Sequence, residues 1–224
     1  MKERTKREIR RKSIHMIPGI LGPAVVLLPA YIFGEIIGRT LGVIISLFFF
    51  IIYTLNHLHL KGKIKYEIPI GTSTFRIMAR ENELESSTFV GPIIFWGILV
   101  VMFLFLDLEV AMVGVWTSAI GDAFAAIVGT EVGRHKIPYN KRKSFEGSFA
   151  LFITSFIGNY LILLMDPPMF YDVLILSLIA SIAGVILESL PGSYLLDEIT
   201  VPLIPAVIIQ ILGGYSFYLL GGLI

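Results

Sequence analysis

Residues 110–130 read VAMVGVWTSAIGDAFAAIVGT, an apolar run with a single acid, Asp122, inside it. A hydrocarbon core of ~30 Å needs roughly 20 apolar residues of helix, so the run is read as a membrane span. A carboxylate in such a span faces a bundle interior or a wet cavity rather than lipid. Ser118, Asp122, Ala125 and Gly129 follow one another at helical intervals of four, three and four, and so share one small, polar helix face. Either Asp122 does chemistry on that face, or the face serves close helix packing with Asp122 paired to a cation.

Immediately downstream the chain reads EVGRHKIPYNKRKSFEG over residues 131–147. It leaves the apolar run through Gly129 and Gly133, gathers Arg134, Lys136, Lys141, Arg142 and Lys143, and re-enters an apolar segment after Glu146, Gly147 and Ser148. An acid in a span, a glycine exit and five cations form an arrangement suited to a metal ion and phosphates. Arg and Lys stabilise transferring phosphoryl groups, and backbone amides at glycines add to an anion cradle. The competing reading is that the cations hold topology and touch anionic headgroups. Glu146 also has a plain reading, as an acid in a first helical turn that complements the helix dipole.

Further outward, the same span rule gives about seven transmembrane helices. They cover roughly Ile14–Phe33, Leu41–Leu55, Phe89–Leu106, Val110–Thr130, Phe149–Met165, Val173–Leu190 and Ile199 to the terminus. Pro18, Pro23 and Pro29 predict a kinked first span, tolerated where neighbours satisfy the freed carbonyls. Glu35 and Arg39 are read as a short turn, and TFRIMARENELE, residues 74–85, as a short amphipathic helix at the interface. Of 224 residues, 55% are hydrophobic and 16% charged, and the mean hydropathy is +0.82. That balance excludes an ordinary soluble domain and leaves one all-α, polytopic membrane bundle over 1–224, with a basic head at 1–13. The opening MKERTKREIRRK is too charged and acid-bearing for a simple signal sequence, so no cleavable leader is expected. Cysteine is absent, which excludes disulfides and thiolate metal sites.

Seven spans place the head, the interval 56–88, the loop 131–147 and the interval 188–198 on one side. Of the 18 Lys and Arg residues, all but Arg39 lie in the first three of these segments. The positive-inside rule therefore predicts a cytoplasmic N-terminus and a multi-pass protein whose site faces the cytoplasm. The same side collects Glu188, Asp197 and Glu198, and magnesium favours one or two carboxylates plus waters and substrate phosphates. Asp122 with Asp197 or Glu188 is the expected metal set; solvated interfacial acids are the plainer alternative. In the head, Glu8, Arg11, Lys12 and His15 lie along one helix stripe, with Lys12 and Arg11 as phosphate or headgroup ligands. No P-loop, protein-kinase, zinc or EF-hand pattern is present. Nucleic acid is not an expected partner, because the basic segments belong to a membrane face. Small-residue faces serve packing within and between bundles alike, so no oligomeric state is read.

Three segments together resemble the CTP-dependent lipid kinase family of dolichol (polyprenol) kinase, phytol kinase and yeast-type diacylglycerol kinase, itself related to the phosphatidate cytidylyltransferases. They are EIRRKSIH from Glu8 to His15; the stretch from Gly121-Asp122 through Gly129 and Gly133 to Lys143-Ser144-Phe145-Glu146-Gly147-Ser148; and Glu188-Ser189-Leu190 followed by DEITVPL from Asp197. The resemblance covers most of the chain in order, and its central segment is the most specific. The family usually has Asp-Asn where this chain has Asp197-Glu198, a departure that bears on metal geometry. The resemblance implies a kinase that moves the γ-phosphoryl of CTP, as a Mg2+ complex, to a lipid alcohol, with polyprenol expected on family grounds. Asp122, Lys143, Glu146 and Glu188 are then the expected catalytic residues, with Glu146 or Glu188 orienting or deprotonating the hydroxyl. Gly129, Gly133, Arg134, Lys136, Lys141, Lys143, Ser144 and Lys12 are expected around the nucleotide phosphates, and Asp122, Asp197 and Glu188 on the metal. The alternatives are a cytidylyltransferase acting on phosphatidate, a phytol or diacylglycerol kinase, and a transporter in which Asp122 carries a proton or ion.

Overall fold

The computed structural model describes residues 3–215 and the short segments 218–219 and 222–223. The chain is a membrane helical bundle. Five helical segments are long and apolar enough to cross a membrane: Thr5–Phe33, Glu35–Leu60, Leu108–Glu131, Phe145–Leu163 and Tyr194–Gly213. Two shorter apolar helices, Gly91–Phe105 and Val173–Ser189, complete the set that the sequence predicts.

The first segment is interrupted where its prolines fall. Helix α1 (Glu3–His15) leads into α2 (Ile17–Gly22), a π-helical turn at Pro23–Leu27, and α3 (Leu28–Phe33). Proline lacks the N–H that an α-helix needs and clashes with the preceding turn, so the wider π turn absorbs Pro23. Gly34, at φ 100°, reverses the chain into α4 (Glu35–Leu60). The predicted turn at Glu35 and Arg39 is therefore helix, and α4 runs well beyond Leu41–Leu55 in both directions. The Arg39 guanidinium donates to the carbonyls of Phe103 (2.9 Å) and Leu106 (2.7 Å), at the end of the neighbouring α7 (Gly91–Phe105). These are terminal carbonyls with no partner in their own helix. A charge that looked like a loop marker caps another helix instead.

Residues 74–85 form two helices rather than one. Helix α5 (Pro69–Met78) stops before Ala79 and Arg80, and α6 (Glu81–Ser86) starts anew, with the Glu83 carboxylate accepting from the Arg80 N–H at 2.8 Å. The bundle is built around α8 (Leu108–Trp116), the π-helical turn Thr117–Gly121 and α9 (Asp122–Glu131). Leu108, Val110, Ala111, Met112 and Val113 have no exposed surface. Lipid is as apolar as the core, so close packing and small residues rather than water exclusion hold such a bundle. Gly114 illustrates this: a Cβ there would run into the Pro202 carbonyl oxygen of α12 (Tyr194–Gly213).

The predicted loop 131–147 contains a β-hairpin, β1 (Lys136–Ile137) with β2 (Asn140–Ser144), and leads straight into α10 (Phe145–Leu163). Ser144 caps α10 by accepting from the Gly147 N–H at 3.2 Å. Asp172 caps α11 (Val173–Ser189) in the same way, accepting from the Leu174 N–H. Helix α12 begins earlier than predicted and ends at Gly213, with Gly214 left-handed at φ 74°. The expected continuation of this span to the terminus gives way to a short antiparallel pair, β3 (Tyr218–Leu219) with β4 (Gly222–Leu223); the other residues of 216–224 lie outside the described residues.

The end of the bundle away from the hairpin carries Asp107, Glu109 and Asp166, whose carboxylate oxygens approach within 4.8 Å of one another. Asp107 sits in the turn between α7 and α8, and its Oδ1 is buried without a partner. Burial first, and the Glu109 carboxylate second, push the Asp107 carboxyl up to about 8; Asp166 and Glu35 add to the repulsion. A carboxyl raised on folding favours the folded state below its ordinary pKa of 3.8, and that contribution fades as pH rises towards 8. In chelator-containing detergent buffer, the Tm of the parent protein should fall between pH 5 and 8 relative to that of Asp107→Asn. Equal pH dependence of the two would show that Asp107 is ionised in the fold throughout.

Since α10 lies between them, the hairpin and the 164–172 connection emerge at opposite ends. The chain has no native cysteine, so Lys141→Cys and Met169→Cys, both at exposed positions, report side without background. A membrane-impermeant maleimide should label one of them in sealed vesicles and the other only after permeabilisation. Labelling of both from one side would break the span assignment.

Candidate functional site

A cavity of about 710 Å3 opens where α1, α9, the hairpin, the end of α11 and the start of α12 meet. This is within the size range of small-molecule sites. Ser118, Asp122, Ala125 and Gly129 all line it, so the polar face read from their spacing is a cavity wall. Helix α1 packs along α9 and contributes Glu8, Arg11 and Lys12. The hairpin contributes Lys136, Asn140, Arg142, Lys143 and Ser144; α11 contributes Glu188; α12 contributes Tyr194, Asp197 and Glu198. Arg80, between α5 and α6, closes another side.

Two ion pairs form the inner part of the site. Lys12, 5% exposed, pairs with Asp122, and Lys143 pairs with the 4% exposed Glu188. The His15 Nε2 lies 3.6 Å from the Asp122 carboxylate and 3.3 Å from the Ser118 carbonyl oxygen. Burial pulls the Lys143 ammonium down, but the carboxylates of Glu188 and then Asp122 outweigh it and hold it above the ordinary lysine value. Lys143 is therefore a fixed positive charge at any physiological pH.

The hairpin is clamped to the end of α11, which explains why Lys143 reaches Glu188. The Asn140 side-chain amide donates to the carbonyls of Ser189 and Leu190, both at 3.1 Å, and the Tyr139 hydroxyl meets the Ser189 hydroxyl at 2.9 Å. Ile137, 2% exposed, anchors the first strand. Gly133 is a close-packing residue here rather than a flexible exit: a Cβ would meet the Gly129 carbonyl oxygen and the Ser144 hydroxyl. Gly147 allows the start of α10 to approach the Ala125 carbonyl on α9 in the same way.

Of the expected site residues, the structure gathers Lys12, Asp122, Gly129, Gly133, Lys136, Lys143, Ser144, Glu188 and Asp197 on one cavity. Arg134, Lys141 and Glu146 do not line it. The Glu146 carboxylate is turned to the outside of the hairpin, where it accepts from the Arg134 and His135 N–H groups (3.1 Å each) and meets His135 Nδ1 at 2.7 Å. There it braces the loop. In β2 Asn140, Arg142, Lys143 and Ser144 line the cavity and the exposed Lys141 does not. The reading from sequence counted Arg142 among the loop cations but passed over Arg80, Asn140 and Tyr194, which also line the cavity. A clue to Arg80 was present, since Glu81 and Glu83 in succession mark a helix start just after it.

The donor set suits a hard divalent cation. Glu188 Oε2 is buried with no partner, and Asp197, half-buried, makes no hydrogen bond or ion pair among the described residues. Asp122, Asp197 and Glu188 do not form a tight cage: the three-carboxylate group with oxygens within 4.8 Å among the described residues is the one at the far end. A cation held by one or two of them would need water and phosphate oxygens to complete its shell, as magnesium commonly does.

No family profile matches the chain, and no solved structure matches it. Several curated proteins do. A probable phytol kinase 1 of rice chloroplasts is 33% identical over 103 residues, which span 43% of this chain and 33% of the rice protein. The chloroplast farnesol kinase of Arabidopsis thaliana is 35% identical over 83 residues, 35% of this chain and 27% of that protein. The phytol kinase of Synechocystis is 35% identical over 114 residues, 50% of this chain and 48% of that protein. The match thus spans no more than about half the length of these relatives, and what the chain is similar to, over that span, is kinases of isoprenoid alcohols.

Proposed function

We propose that this chain transfers the terminal phosphoryl group of a nucleoside triphosphate to the hydroxyl of an isoprenoid alcohol. One observation carries the reading: segments around residues 8–12, 122–133, 136–144 and 188–198, far apart in sequence, bring cations and carboxylates to a single cavity at one end of an apolar bundle. The names of the relatives supply the acceptor class. They favour phytol- and farnesol-type alcohols as the first to test, ahead of the polyprenol that the sequence resemblance implies.

Lys12, Lys136, Arg142 and Lys143 are the cations that meet the phosphates and offset charge spreading over the transferred group. Lys12 and Lys143 are pre-oriented for this by Asp122 and Glu188. Magnesium, held by Asp122 with Asp197 or Glu188, supplies charge neutralisation at the phosphates when bound. The acceptor oxygen bonds to the γ-phosphorus as the bond from that phosphorus to the bridging oxygen breaks. The electron pair leaves with the nucleoside diphosphate, and the hydroxyl proton leaves through the open cavity. CTP is the first donor to test, on the resemblance; the cavity cations address the triphosphate common to all such donors. The distribution of Lys and Arg supports a cytoplasmic side for this end.

Purified protein with magnesium and CTP labelled at the γ-phosphate should deliver label to farnesol or phytol. Label delivered from the α-phosphate to phosphatidate would make the protein a nucleotidyltransferase, and no transfer with CTP or ATP would end the enzyme reading. Loss of one positioned charge at a phosphoryl-transfer site costs about 10²-fold or more in turnover. Asp122→Asn and Lys143→Ala should each fall by that amount, while a folded protein is confirmed by an unchanged gel-filtration profile. Full magnesium-dependent turnover in Asp122→Asn would remove it from the metal set, and unchanged turnover and nucleotide KM in Lys143→Ala would reduce the hairpin to a topology determinant.

A further inference from the structure

A second cavity, of about 220 Å3, lies beside the charged one and differs from it in character. Its walls are Phe49 and Tyr53 of α4, Met78 of α5, Phe89, and Phe95 and Trp96 of α7. Tyr53, Phe89 and Phe95 are buried. Ile17 and Ile70 line it too and are each 47% exposed, so the cavity reaches the surface at apolar side chains. At its inner end Arg11, Arg80, Tyr194 and Glu198 line both cavities. An aromatic slot thus runs from exposed apolar side chains to the polar site. Such mostly apolar pockets with a few polar groups at one end are the usual form of a site for an amphipathic ligand.

The polar groups at the junction are not equally available. Arg11 is bonded to Glu8 at 2.8 Å. The Arg80 guanidinium lies over the Tyr194 ring, 3.9 Å from its centre, and the Tyr194 hydroxyl donates to Glu83 at 3.2 Å. Glu198 makes no hydrogen bond or ion pair among the described residues, and its Oε1 stands beside Gly91, 3.8 Å from where a Cβ would be. It is an open acceptor at the mouth of an apolar slot.

Resting on the kinase reading above, we infer that the head of the acceptor alcohol enters this slot from the bilayer and that Glu198 accepts a hydrogen bond from its hydroxyl, turning the oxygen towards the phosphates. The size of the slot adds a specificity. At the roughly 30 Å3 that a water molecule takes in the liquid, 220 Å3 holds about seven non-hydrogen atoms. That is close to one hydroxyl and one five-carbon isoprene unit. The protein reads the first isoprene unit, and the remainder of the chain lies between Ile17 and Ile70 in the lipid. Acceptors are distinguished by the structure of the head unit and little by overall length. Glu198→Gln keeps an acceptor oxygen, so it is a positioning test: its KM for the alcohol should stay within a few-fold, whereas Glu198→Leu should raise that KM at least tenfold and leave the nucleotide KM unchanged.

The deciding experiment uses two photoreactive farnesol analogues with wild-type protein in liposomes, without nucleotide. One carries a diazirine on the first isoprene unit and the other at the far end of the chain. The head probe should label segments 70–78 and 89–96, and Thr74→Trp, which fills the slot, should abolish that labelling. The tail probe should label lipid and outward-facing residues in both proteins. Farnesol and phytol should show KM values within about threefold of one another in the phosphoryl-transfer assay, an RT ln 3 difference well below one kcal/mol. Head labelling spread over the outer surface, or unchanged by Thr74→Trp, overturns the slot even if phosphoryl transfer is seen. Slot labelling in a wild-type protein that transfers no phosphoryl group would instead keep the binding site and remove the kinase reading.

Discussion

Two lysine–carboxylate pairs, Lys12 with Asp122 and Lys143 with Glu188, are the constraint that the rest of the structure satisfies. Asp122 and Glu188 belong to apolar helices, where an uncompensated charge is costly. Removing one member of such a pair leaves a buried charge and costs about 3–5 kcal/mol. Neither carboxylate is compensated from its own helix. Lys12 has to arrive on α1, which therefore packs along α9, and Lys143 has to arrive on a strand, which is clamped to the end of α11 through Asn140 and Tyr139. The pairs tie the two ends of the sequence to its centre, and the tying creates the cavity.

The balance of charge in that cavity separates the functional readings. Arg11, Lys12, Arg80, Lys136, Arg142 and Lys143 face Glu8, Asp122, Glu188, Asp197 and Glu198. A site built only to hold an anion would show a clear cation excess, and a cation pathway the reverse. Near equality of both signs, with Glu188 Oε2 buried and unpartnered, suits a ligand that itself carries both signs. A metal–polyphosphate complex is such a ligand.

Much of this arrangement was legible in the sequence, because hydropathy and helical spacing are local properties. The apolar runs gave the spans, the four-three-four spacing from Ser118 gave the polar wall, and the uneven Lys and Arg distribution grouped the segments that do converge. The errors have a common source, namely charges whose partners lie elsewhere in the chain. Arg39 looked like a turn because its acceptors, Phe103 and Leu106 carbonyls, are sixty residues away in a neighbouring helix. Arg134, Lys141 and Glu146 belong to the same charged stretch as Lys136 and Lys143 but do not line the cavity, because a compact hairpin forms where a loop was expected and Glu146 is held by the Arg134 and His135 N–H groups. Arg80 was hidden within what read as one amphipathic helix, although the break before Glu81 is what releases it towards Tyr194.

The boundary between the two cavities rests on one helical turn. Helix α11 ends at Ser189 and α12 begins at Tyr194, so only a short connection separates them. Tyr194, Asp197 and Glu198 then stand at i, i+3 and i+4 on one face of α12. Asp197 faces the charged cavity, whereas Tyr194 and Glu198 border both. Arg80 stacked on Tyr194 fixes the ring from the other side. The proposed transfer, from a water-soluble phosphate donor to an alcohol dissolved in lipid, would need such a boundary, because the donor must stay hydrated until it meets charge and the acceptor must not leave hydrocarbon before its hydroxyl is aligned. The first turn of α12 would supply it, since it places carboxylates and an aromatic ring where the charged and the aromatic cavity meet.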